Sequence, residues 1–325
     1  MVHNKSMETN CSLCNNQLRI KLIENIKKYD SLYNVYFCKE CIVGLTFPIP
    51  STEDLSRLYS LNSYRLNDGK RFNPLIEYFI YIFRQRRKKE IQKYVTKGHI
   101  LDIGCGRGLF LNVMRNNGWN VTGVEFDKET SLCASDAYDI NVIPQESIDN
   151  LPDERFDVIT LYHVLEHLDN PVAVIHTCRR LLRKGGLLVI SVPNIFSLQA
   201  SVGKGVWFHL DLPCHLHHFS EGGLTILLNK NSFKILKIKR FNFEYNPFGW
   251  LQTLLNISGI SENLLYNLLK LSKLRKREIL NINKKDLILT LILLPLYFPL
   301  SFVLSAFESF FLKRGGTFDV YAAKE

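Results

Sequence analysis

Residues 101–108 read LDIGCGRG, an apolar run that ends in a glycine-rich turn. Glycines at positions 104, 106 and 108 allow backbone conformations and close approaches that a Cβ would prevent. The next apolar run closes on Glu125, whose carboxylate can accept hydrogen bonds from two ribose hydroxyls. The interval between turn and carboxylate matches one strand–helix–strand unit. Together the two features predict a nucleoside pocket.

The residues around the turn discriminate between nucleoside cofactors. A dinucleotide site needs a third glycine after two intervening residues, three positions beyond the second glycine, and Leu109 stands there. Asp102, just before the turn, would repel a pyrophosphate but attract the ammonium of an amino acid. A nucleoside at one end and an amino acid at the other describe S-adenosylmethionine, and NAD is disfavoured.

Two further segments follow in the order expected for one cofactor-binding domain. Residues 156–168 read FDVITLYHVLEHL and residues 191–194 read SVPN. With the glycine turn, these segments resemble the class I S-adenosylmethionine-dependent methyltransferases, over roughly residues 95–245 and the last ten residues. The resemblance implies a transferase that takes a methyl group from this cofactor.

The same resemblance implies how individual residues bind the cofactor. Asp102 and the first two glycines would hold the methionine part, Glu125 the ribose and Phe126 one face of the adenine. Glu146 and Ser147 would contact the adenine edge. The full implied set is Asp102, Gly104, Cys105, Gly106, Gly108, Glu125, Phe126, Glu146, Ser147 and Tyr162.

Composition and charge limit the class of protein. With 325 residues, 46% of them hydrophobic, the chain can form one full α/β domain with a small appendage. Residues 1–10 are polar and contain no apolar signal region, so we expect a cytoplasmic protein with reduced thiols. The net charge of +10 favours anionic partners without choosing among nucleic acid, phospholipid and phosphorylated sugars. Basic residues are densest at 84–89 and 273–285, and a solvated helix face also explains the first cluster.

The N-terminal cysteines have the spacing of a zinc ribbon. Cys11 and Cys14 form one Cys-x2-Cys knuckle, and Cys38 and Cys41 form a second one after 23 intervening residues. Four thiolates suit tetrahedral Zn²⁺ with no open position. The sequence therefore predicts a structural zinc ion that stabilises a segment too short to form its own core.

Hydrophobic periodicity predicts an α/β fold with a doubly wound, Rossmann-like sheet. Five apolar runs are separated by helical lengths, a pattern typical of a mainly parallel sheet. Residues 233–245 and 316–322 predict a sixth and a seventh strand as antiparallel neighbours, giving seven strands in all. The five runs are 100–103, 121–124, 142–143, 158–161 and 187–192.

Other local signals predict helices and domain boundaries. Asn73-Pro74 opens a helix through Val95, and a helix is expected near Val172–Leu182 with Lys184-Gly-Gly186 as the signal that ends it. A short helix is expected between Ser51 and Tyr59. The predicted organisation is a zinc ribbon with exit segment (1–60), a linker helix (61–95), the methyltransferase domain (96–245), a helical insertion (246–313) and the final strand (314–325).

The insertion between the last two strands carries the most apolar stretch of the chain, Leu287–Phe307. Its length is compatible with a transmembrane helix. A single span would, however, place the last strand on the wrong side of the bilayer, and Pro295 and Pro299 suggest a bent element. We therefore favour a helix seated in the membrane interface, with the basic residues 273–285 and 313–314 facing anionic headgroups on the inner face of the cell membrane. A lid or a dimer surface is the alternative hypothesis.

Histidines supply the candidate bases. Methyl transfer is an in-line displacement, so a hydroxyl or carbon acceptor also needs a group that removes its proton. His163 and His167 follow the fourth predicted strand, and His215 lies in the histidine-rich loop after the fifth; His215 is the first choice. A structural hydrogen bond competes as the role of His167. Metal binding by the His-x-His-His run at 215–218 is disfavoured, because neighbouring side chains in an extended loop point apart.

The cysteine knuckles, the segment EHL and the histidine-rich loop resemble sugar C-methyltransferases and methyltransferases of cell-surface polysaccharide pathways. Those C-methylating enzymes carry Glu immediately before the loop histidine and Tyr three residues after it, whereas this chain has Cys214 and His218. The resemblance thus implies a small-molecule, glycan or lipid-linked acceptor, and O-methylation stays open. An RNA methyltransferase and a non-catalytic cofactor-binding scaffold are the alternatives. Nucleic acid is disfavoured because residues 161–163 read LYH instead of the Asn/Asp-Pro-Pro-Tyr of base-amino methylation.

Overall fold

The structure is a computed structural model that describes residues 10–29, 31–51, 54, 72–270 and 283–325. The helix predicted at Ser51–Tyr59 and residues 273–282 of the second basic cluster lie outside the described residues.

The predicted seven-stranded, Rossmann-like sheet is confirmed. The strand order is β10-β11-β8-β7-β4-β5-β6, and only β11 runs against its neighbours. Its strands are β4 (His99–Ile103), β5 (Asn120–Glu125), β6 (Asn141–Pro144), β7 (Phe156–Tyr162), β8 (Leu182–Pro193), β10 (Phe233–Lys239) and β11 (Thr317–Lys324).

Helices cover both faces of this sheet. They are α1 (Pro74–Ile91), α2 (Leu109–Arg115), α3 (Lys128–Tyr138), α4 (Pro171–Leu181), α5 (Leu198–Gly203) and α6 (Glu221–Lys230). The insertion adds α7 (Asn246–Ile257), α8 (Leu264–Leu269) and α9 (Lys284–Ala306), the last continuing as a π-helical turn over Phe307–Phe311.

The glycine turn lies where a ligand is expected in this topology. Strand β4 pairs in parallel with β5 on one side and with β7 on the other, so the strand order reverses at β4. Open α/β sheets bind ligands beyond the carboxyl ends of the strands at such a switch point. The turn at 104–108 follows β4 directly, and β7 ends beside it at Tyr162.

Three predicted boundaries differ from the observed ones. Helix α4 ends at Leu181, and β8 begins at Leu182, so the glycines at 185 and 186 lie within a strand. Strand β10 ends at Lys239, and residues 242–245 leave the sheet towards α7. Helix α1 begins after Asn73 as predicted, with the Asn73 side chain accepting a hydrogen bond from the Ile76 amide, but it ends at Ile91.

The cysteine-containing segment forms a second, antiparallel sheet of four strands in the order β1-β2-β3-β9. Its own strands are β1 (Ile20–Lys28), β2 (Ser31–Cys38) and β3 (Val43–Phe47). The fourth strand, β9 (His217–His218), comes from the histidine-rich loop and pairs with β3. Three of the four knuckle cysteines also share one buried core with the main sheet. The ribbon is therefore packed against the methyltransferase sheet.

Candidate active site

The glycine turn combines left-handed backbone with an open surface. Gly104, Gly106 and Gly108 have φ values of 71°, 56° and 73°, which only glycine adopts without strain. A Cβ on Gly104 would lie 2.3 Å from Val164, whereas one on Gly106 would meet nothing within 4 Å. The first glycine is thus required by packing, and the second faces space in which a ligand fits.

The amides of the turn are already satisfied by the protein. Those of Gly104 and Cys105 donate to the carbonyl of Val124, and that of Gly106 donates to Glu125 Oε2 at 2.6 Å. The second oxygen of Glu125 accepts from the Phe126 amide at 3.0 Å. Since these amides are already hydrogen-bonded within the protein, the turn contributes a surface that fits a ligand closely. Glu125 is held beside the turn, at the carboxyl end of β5.

Asp102 and Tyr162 place buried polar groups at the carboxyl ends of neighbouring strands. Asp102 is 5% exposed and accepts a hydrogen bond of 2.5 Å from Thr160. The Tyr162 hydroxyl is buried and has no hydrogen-bond partner among the described residues, while the Arg87 guanidinium lies 4.0 Å from its ring centroid. A buried carboxylate beside an unsatisfied hydroxyl fits the amino-acid end of S-adenosylmethionine.

The other predicted cofactor residues differ in accessibility. Phe126 is 45% exposed and offers a ring face, and Glu146 and Ser147 lie on the 3-10 helix Gln145–Asn150 that follows β6. Glu146 is exposed and Ser147 is half-buried. The Cys105 side chain is buried and turned towards Gly123, where an added Cβ would lie 2.6 Å from its sulfur.

We expect donor binding to depend on the ionisation of Asp102. Burial raises the pKa of Asp102 to about 6, against the lowering effects of the Thr160 hydrogen bond and Arg87. The carboxylate that attracts an ammonium group predominates above this pH, and the neutral acid predominates below it. The dissociation constant for S-adenosylmethionine should therefore rise about tenfold between pH 7 and pH 5, as expected for one competing proton. Calorimetric titration measures this constant. The Asp102→Asn variant should bind the donor more weakly than wild type at both pH values. A wild-type dissociation constant that is the same at pH 7 and pH 5 would contradict the proposed role of Asp102.

His163 and Glu166 form a hydrogen-bonded pair at the end of β7. His163 Nδ1 lies 3.2 Å from Glu166 Oε1, and its ring packs on Tyr245 with centroids 4.2 Å apart. Burial acts to raise the pKa of Glu166, but the hydrogen bond and charge of His163 outweigh it and hold the pKa well below its usual range. An ionised carboxylate thus orients one histidine whose side chain is 18% exposed.

On its other side Glu166 approaches two more histidines. Ligand atoms of Glu166, His167 and His215 all lie within 4.8 Å of one another, a group that could hold a metal ion. The Nδ1 atoms of His167 and His215 lie 3.0 Å from the carbonyls of Cys214 and His209, so both rings have a backbone partner. Burial lowers the pKa of His215 to about 4, which leaves this imidazole neutral at pH 7.

The histidines of the loop do not act as one cluster. His217 Nε2 lies 2.7 Å from Ser12 Oγ, and His218 Nε2 lies 2.9 Å from Thr46 Oγ1. Strand pairing with β3 directs these two towards the ribbon, whereas His215 approaches Glu166. His217 and His218 thus face ribbon residues, away from Glu166. The group that could hold a metal ion consists of His215 and two residues after β7, Glu166 and His167.

Several residues at the site were missed by the sequence reasoning. Arg84 and Arg87 belong to the first basic cluster, yet both bind Glu244, at 2.9 and 2.8 Å. Arg87 also donates to the Tyr245 hydroxyl at 2.8 Å. These two arginines are largely buried and link α1 to the segment after β10, so a solvated helix face does not describe them. The sequence carries no local signal for this contact, which joins positions about 160 residues apart.

The four knuckle cysteines come together in the ribbon. Their sulfurs all lie within 4.8 Å of one another, and Cys14 Sγ is 3.6 Å from Cys38 Sγ. Thiolates about 2.3 Å from a tetrahedral zinc ion lie about 3.8 Å apart, so this cluster could hold zinc. Burial raises the pKa of Cys11 to about 12, and zinc would offset the cost of ionising such buried thiols.

A family model described as a methyltransferase domain matches residues 75–238, half of the chain. The chain belongs to this family. It is a class I S-adenosylmethionine-dependent methyltransferase, and the matched residues contain the glycine turn, Glu125 and the His163–Glu166 pair.

Relatives of this methyltransferase include the ubiquinone biosynthesis O-methyltransferase of Coxiella burnetii, which is 31% identical over 186 residues, 52% of this chain and 74% of the relative. The crystal structure of the (4+2)-cyclase SpnF shares the fold with a TM-score of 0.50 and 17% identity, covering 85% of this chain and 96% of that one. A structure of a SAM-dependent methyltransferase from Archaeoglobus fulgidus gives a TM-score of 0.46 and 21% identity over 74% of this chain and 94% of that one.

Proposed function

We propose that this methyltransferase methylates a hydroxyl oxygen of a small-molecule, glycan or lipid-linked acceptor. The observation that carries the proposal is the His163–Glu166 pair at the end of β7, next to the strand that carries the glycine turn. A hydroxyl is a weak nucleophile until its proton is removed, and a histidine oriented by an ionised carboxylate is suited to this task.

The residues around the turn would hold and orient the methyl donor. S-Adenosylmethionine, when bound, supplies an electrophilic methyl group on a sulfonium. Glu125 stands where it can accept from ribose hydroxyls, and Asp102 offers a carboxylate to the ammonium end. Both lie at carboxyl ends of adjacent strands, so the donor would span β4 and β5 with its reactive end towards β7.

His163 is the base that the geometry favours. Its side chain is more exposed than that of His215, which has 9% exposure, and the carboxylate of Glu166 can stabilise the imidazolium that forms when the acceptor proton arrives. His215 is the second candidate base, since its ring lies in the group with Glu166 and His167 and its Nε2 is 3.9 Å from Asp211. His167 would help position this group.

The acceptor class is inferred from the relatives and from the apolar insertion. Relatives from Coxiella burnetii and Psychrobacter arcticus are ubiquinone biosynthesis O-methyltransferases, and we extend hydroxyl methylation to this chain. The long apolar helix α9 is compatible with an acceptor that has a lipid tail. Polysaccharide and lipid biosynthesis at the cell surface both use lipid-linked intermediates. A nucleotide sugar methylated at carbon lacks support in the loop at 214–218, as the sequence departs there from the C-methylating pattern.

An acceptor screen tests the proposal. The full chain is incubated with S-adenosylmethionine labelled in the methyl group and with catechol-bearing polyprenyl lipids, glycans, nucleotide sugars and RNA, with and without detergent micelles. We expect label in an ether linkage on a hydroxyl-bearing acceptor. Label in RNA alone, or on carbon of a nucleotide sugar, would overturn the proposal. Binding of donor with no transfer to any class would favour the cofactor-binding scaffold.

A further inference from the structure

Helix α9 is inverted with respect to a helix of a water-soluble protein. Its buried residues are polar: Asp286, Thr290, Ser301 and Ser305, followed by Glu308 in the π-helical turn. Beyond Lys284 and Lys285, the exposed large side chains of α9 and the π-helical turn are apolar and 44–77% exposed: Ile288, Leu291, Ile292, Leu296, Phe298, Val303, Phe307, Phe310 and Phe311. Other apolar residues, Leu289, Leu293, Leu294 and Tyr297, are partly buried against a cluster from α7 and α8. A helix at a protein–water boundary buries its apolar stripe and exposes its polar one.

The covered side of the helix bonds to other elements near both ends and at the middle, while the Thr290, Ser301 and Ser305 hydroxyls donate to carbonyls of the helix itself. Asp286 accepts from the Ser261 amide and hydroxyl near the first turn, and the Tyr297 hydroxyl lies 2.9 Å from Ser258 Oγ at the middle. At the far end Glu308 accepts from Trp250 Nε1 at 2.8 Å and from the Gln199 amide at 3.2 Å. Both ends of the helix are therefore bonded to other elements of the chain.

The hydrogen bonds at its two ends indicate whether helix α9 crosses a bilayer or lies on its surface. Lys284–Phe311 is 28 residues long, about 42 Å as a helix, and is apolar enough to span a membrane; only 11% of its most apolar window is buried. A spanning helix would have to leave the domain along most of this length. Asp286 bonds to Ser261, just after α7, and Glu308 bonds to Trp250 of α7 and to Gln199 of α5. Because α7 is itself largely buried, these bonds hold both ends of α9 against it, and α9 presents one long apolar side outwards.

The apolar surface continues beyond the helix. Phe302 packs on Phe243 with ring centroids 5.5 Å apart, and Phe243 packs in turn on Phe83 of α1 at 6.2 Å. On α1 the large side chains of Leu75, Tyr78 and Phe79 are also exposed. Phe243 stands two residues before Tyr245, whose ring packs on His163. The surface thus reaches the rim of the site.

We propose that this outward side of α9 and the π-helical turn seats the enzyme in the interface of an anionic lipid bilayer, with the helix parallel to the membrane plane. Exposed basic residues stand at both ends of the apolar side: Lys284 and Lys285 before it, Lys313 and Arg314 after it. Cationic ends around an apolar side match acyl chains bordered by anionic headgroups. A second copy of the chain is the competing occupant, and four cations at the border would repel their counterparts in a symmetric pair.

Vesicle co-sedimentation of the full chain tests the proposal. Vesicles of phosphatidylcholine with about one third phosphatidylglycerol are compared with pure phosphatidylcholine, at low and high salt. We expect wild-type protein to pellet with the anionic vesicles. The double variant Ile292→Glu/Leu296→Glu should lose at least tenfold in the partition coefficient, because each substitution places a charge at the apolar contact. The variant Lys284→Gln/Lys285→Gln/Lys313→Gln/Arg314→Gln should lose binding mainly to anionic vesicles, and added salt should mimic it.

A matched control separates lipid contact from general surface charge. Leu32→Glu/Ile49→Glu changes two apolar side chains of similar exposure, 56% and 63%, outside the insertion, and should bind vesicles like wild type. S-Adenosylmethionine binding by every variant shows that the domain is folded, and it does not depend on lipid. Wild-type protein that stays in the supernatant at low salt, or a glutamate double variant that pellets as wild type does, would overturn the proposal. So would a dimer that the double variant dissociates while neither protein binds vesicles. These outcomes leave the methylation hypothesis untouched, since the acceptor screen tests it separately.

Discussion

Replacing His163 by glutamine is expected to lower kcat for methyl transfer by about 10²- to 10⁴-fold, or about 3 to 5 kcal/mol of transition-state stabilisation. Glutamine keeps a hydrogen-bonding side chain that can face Glu166 but cannot accept the proton of the acceptor hydroxyl. Donor affinity should change little, because His163 is not among the residues placed around the donor. Single-turnover rates with saturating labelled donor and the acceptor identified by the screen measure the effect.

The companion variants identify the base. Glu166→Gln removes the charge that stabilises the imidazolium and should also lower kcat, whereas His176→Gln on the exposed side of α4 should match wild type. Since burial lowers the pKa of His215 to about 4, a rate that stays constant from pH 8 to pH 5 and falls only near pH 4 would indicate His215. Such a profile, together with a near-normal rate in His163→Gln, would refute His163 as the base.

Removing the ribbon metal is expected to abolish methyl transfer while leaving donor binding intact. Cys38→Ser deletes one of four converging sulfurs and should reduce bound zinc from about one ion per chain to none. Binding of zinc to such cysteine sites is worth about 10–16 kcal/mol at pH 7, far more than a small sheet can supply by packing. Metal analysis by mass spectrometry and calorimetric donor titration measure both quantities on the same preparation.

The reason for the loss of activity is the pairing of β3 with β9. Gly44 pairs with His218 and Leu45 with His217, and the Thr46 amide and hydroxyl bond the carbonyls of Leu216 and His215. An unfolded ribbon would release this loop and with it His215, which lies beside Glu166, the carboxylate that orients His163. Cys178→Ser, a buried thiol outside the cluster, should keep zinc and activity. Full activity in a zinc-free Cys38→Ser protein would show that the loop is ordered without the ribbon.

Local chemistry explains which features could be predicted. The glycines at 104–108 and Glu125 belong to one strand–helix–strand unit, and its geometry follows from neighbouring residues. The Cys-x2-Cys knuckles likewise place their sulfurs by short spacing. Strands such as β7 and β8, buried on both faces, read as continuous apolar runs. Lys184-Gly-Gly186 resembles a helix end, but helix α4 ends at Leu181 and these three residues lie within β8.

The arrangement around the base depends on contacts across the chain. Tyr245 reaches His163 from the segment after β10, and Arg87 reaches Tyr245 from α1, contacts that no short pattern encodes. The same holds for His215, which the main chain brings to Glu166 only because β9 joins the ribbon sheet.

By itself, the sequence determined the class of fold, the donor turn and the cysteine cluster, because periodicity, glycine conformation and ligand spacing act over a few residues to one βα unit. It also determined that Leu287–Phe307 is apolar. Only the tertiary structure decided which side of that helix is covered, because Ser261, Trp250 and Gln199 come from other elements and bond its few polar groups. Because those groups and the leucines at 289, 293 and 294 face the protein, the remaining large apolar side chains of the helix form one exposed side.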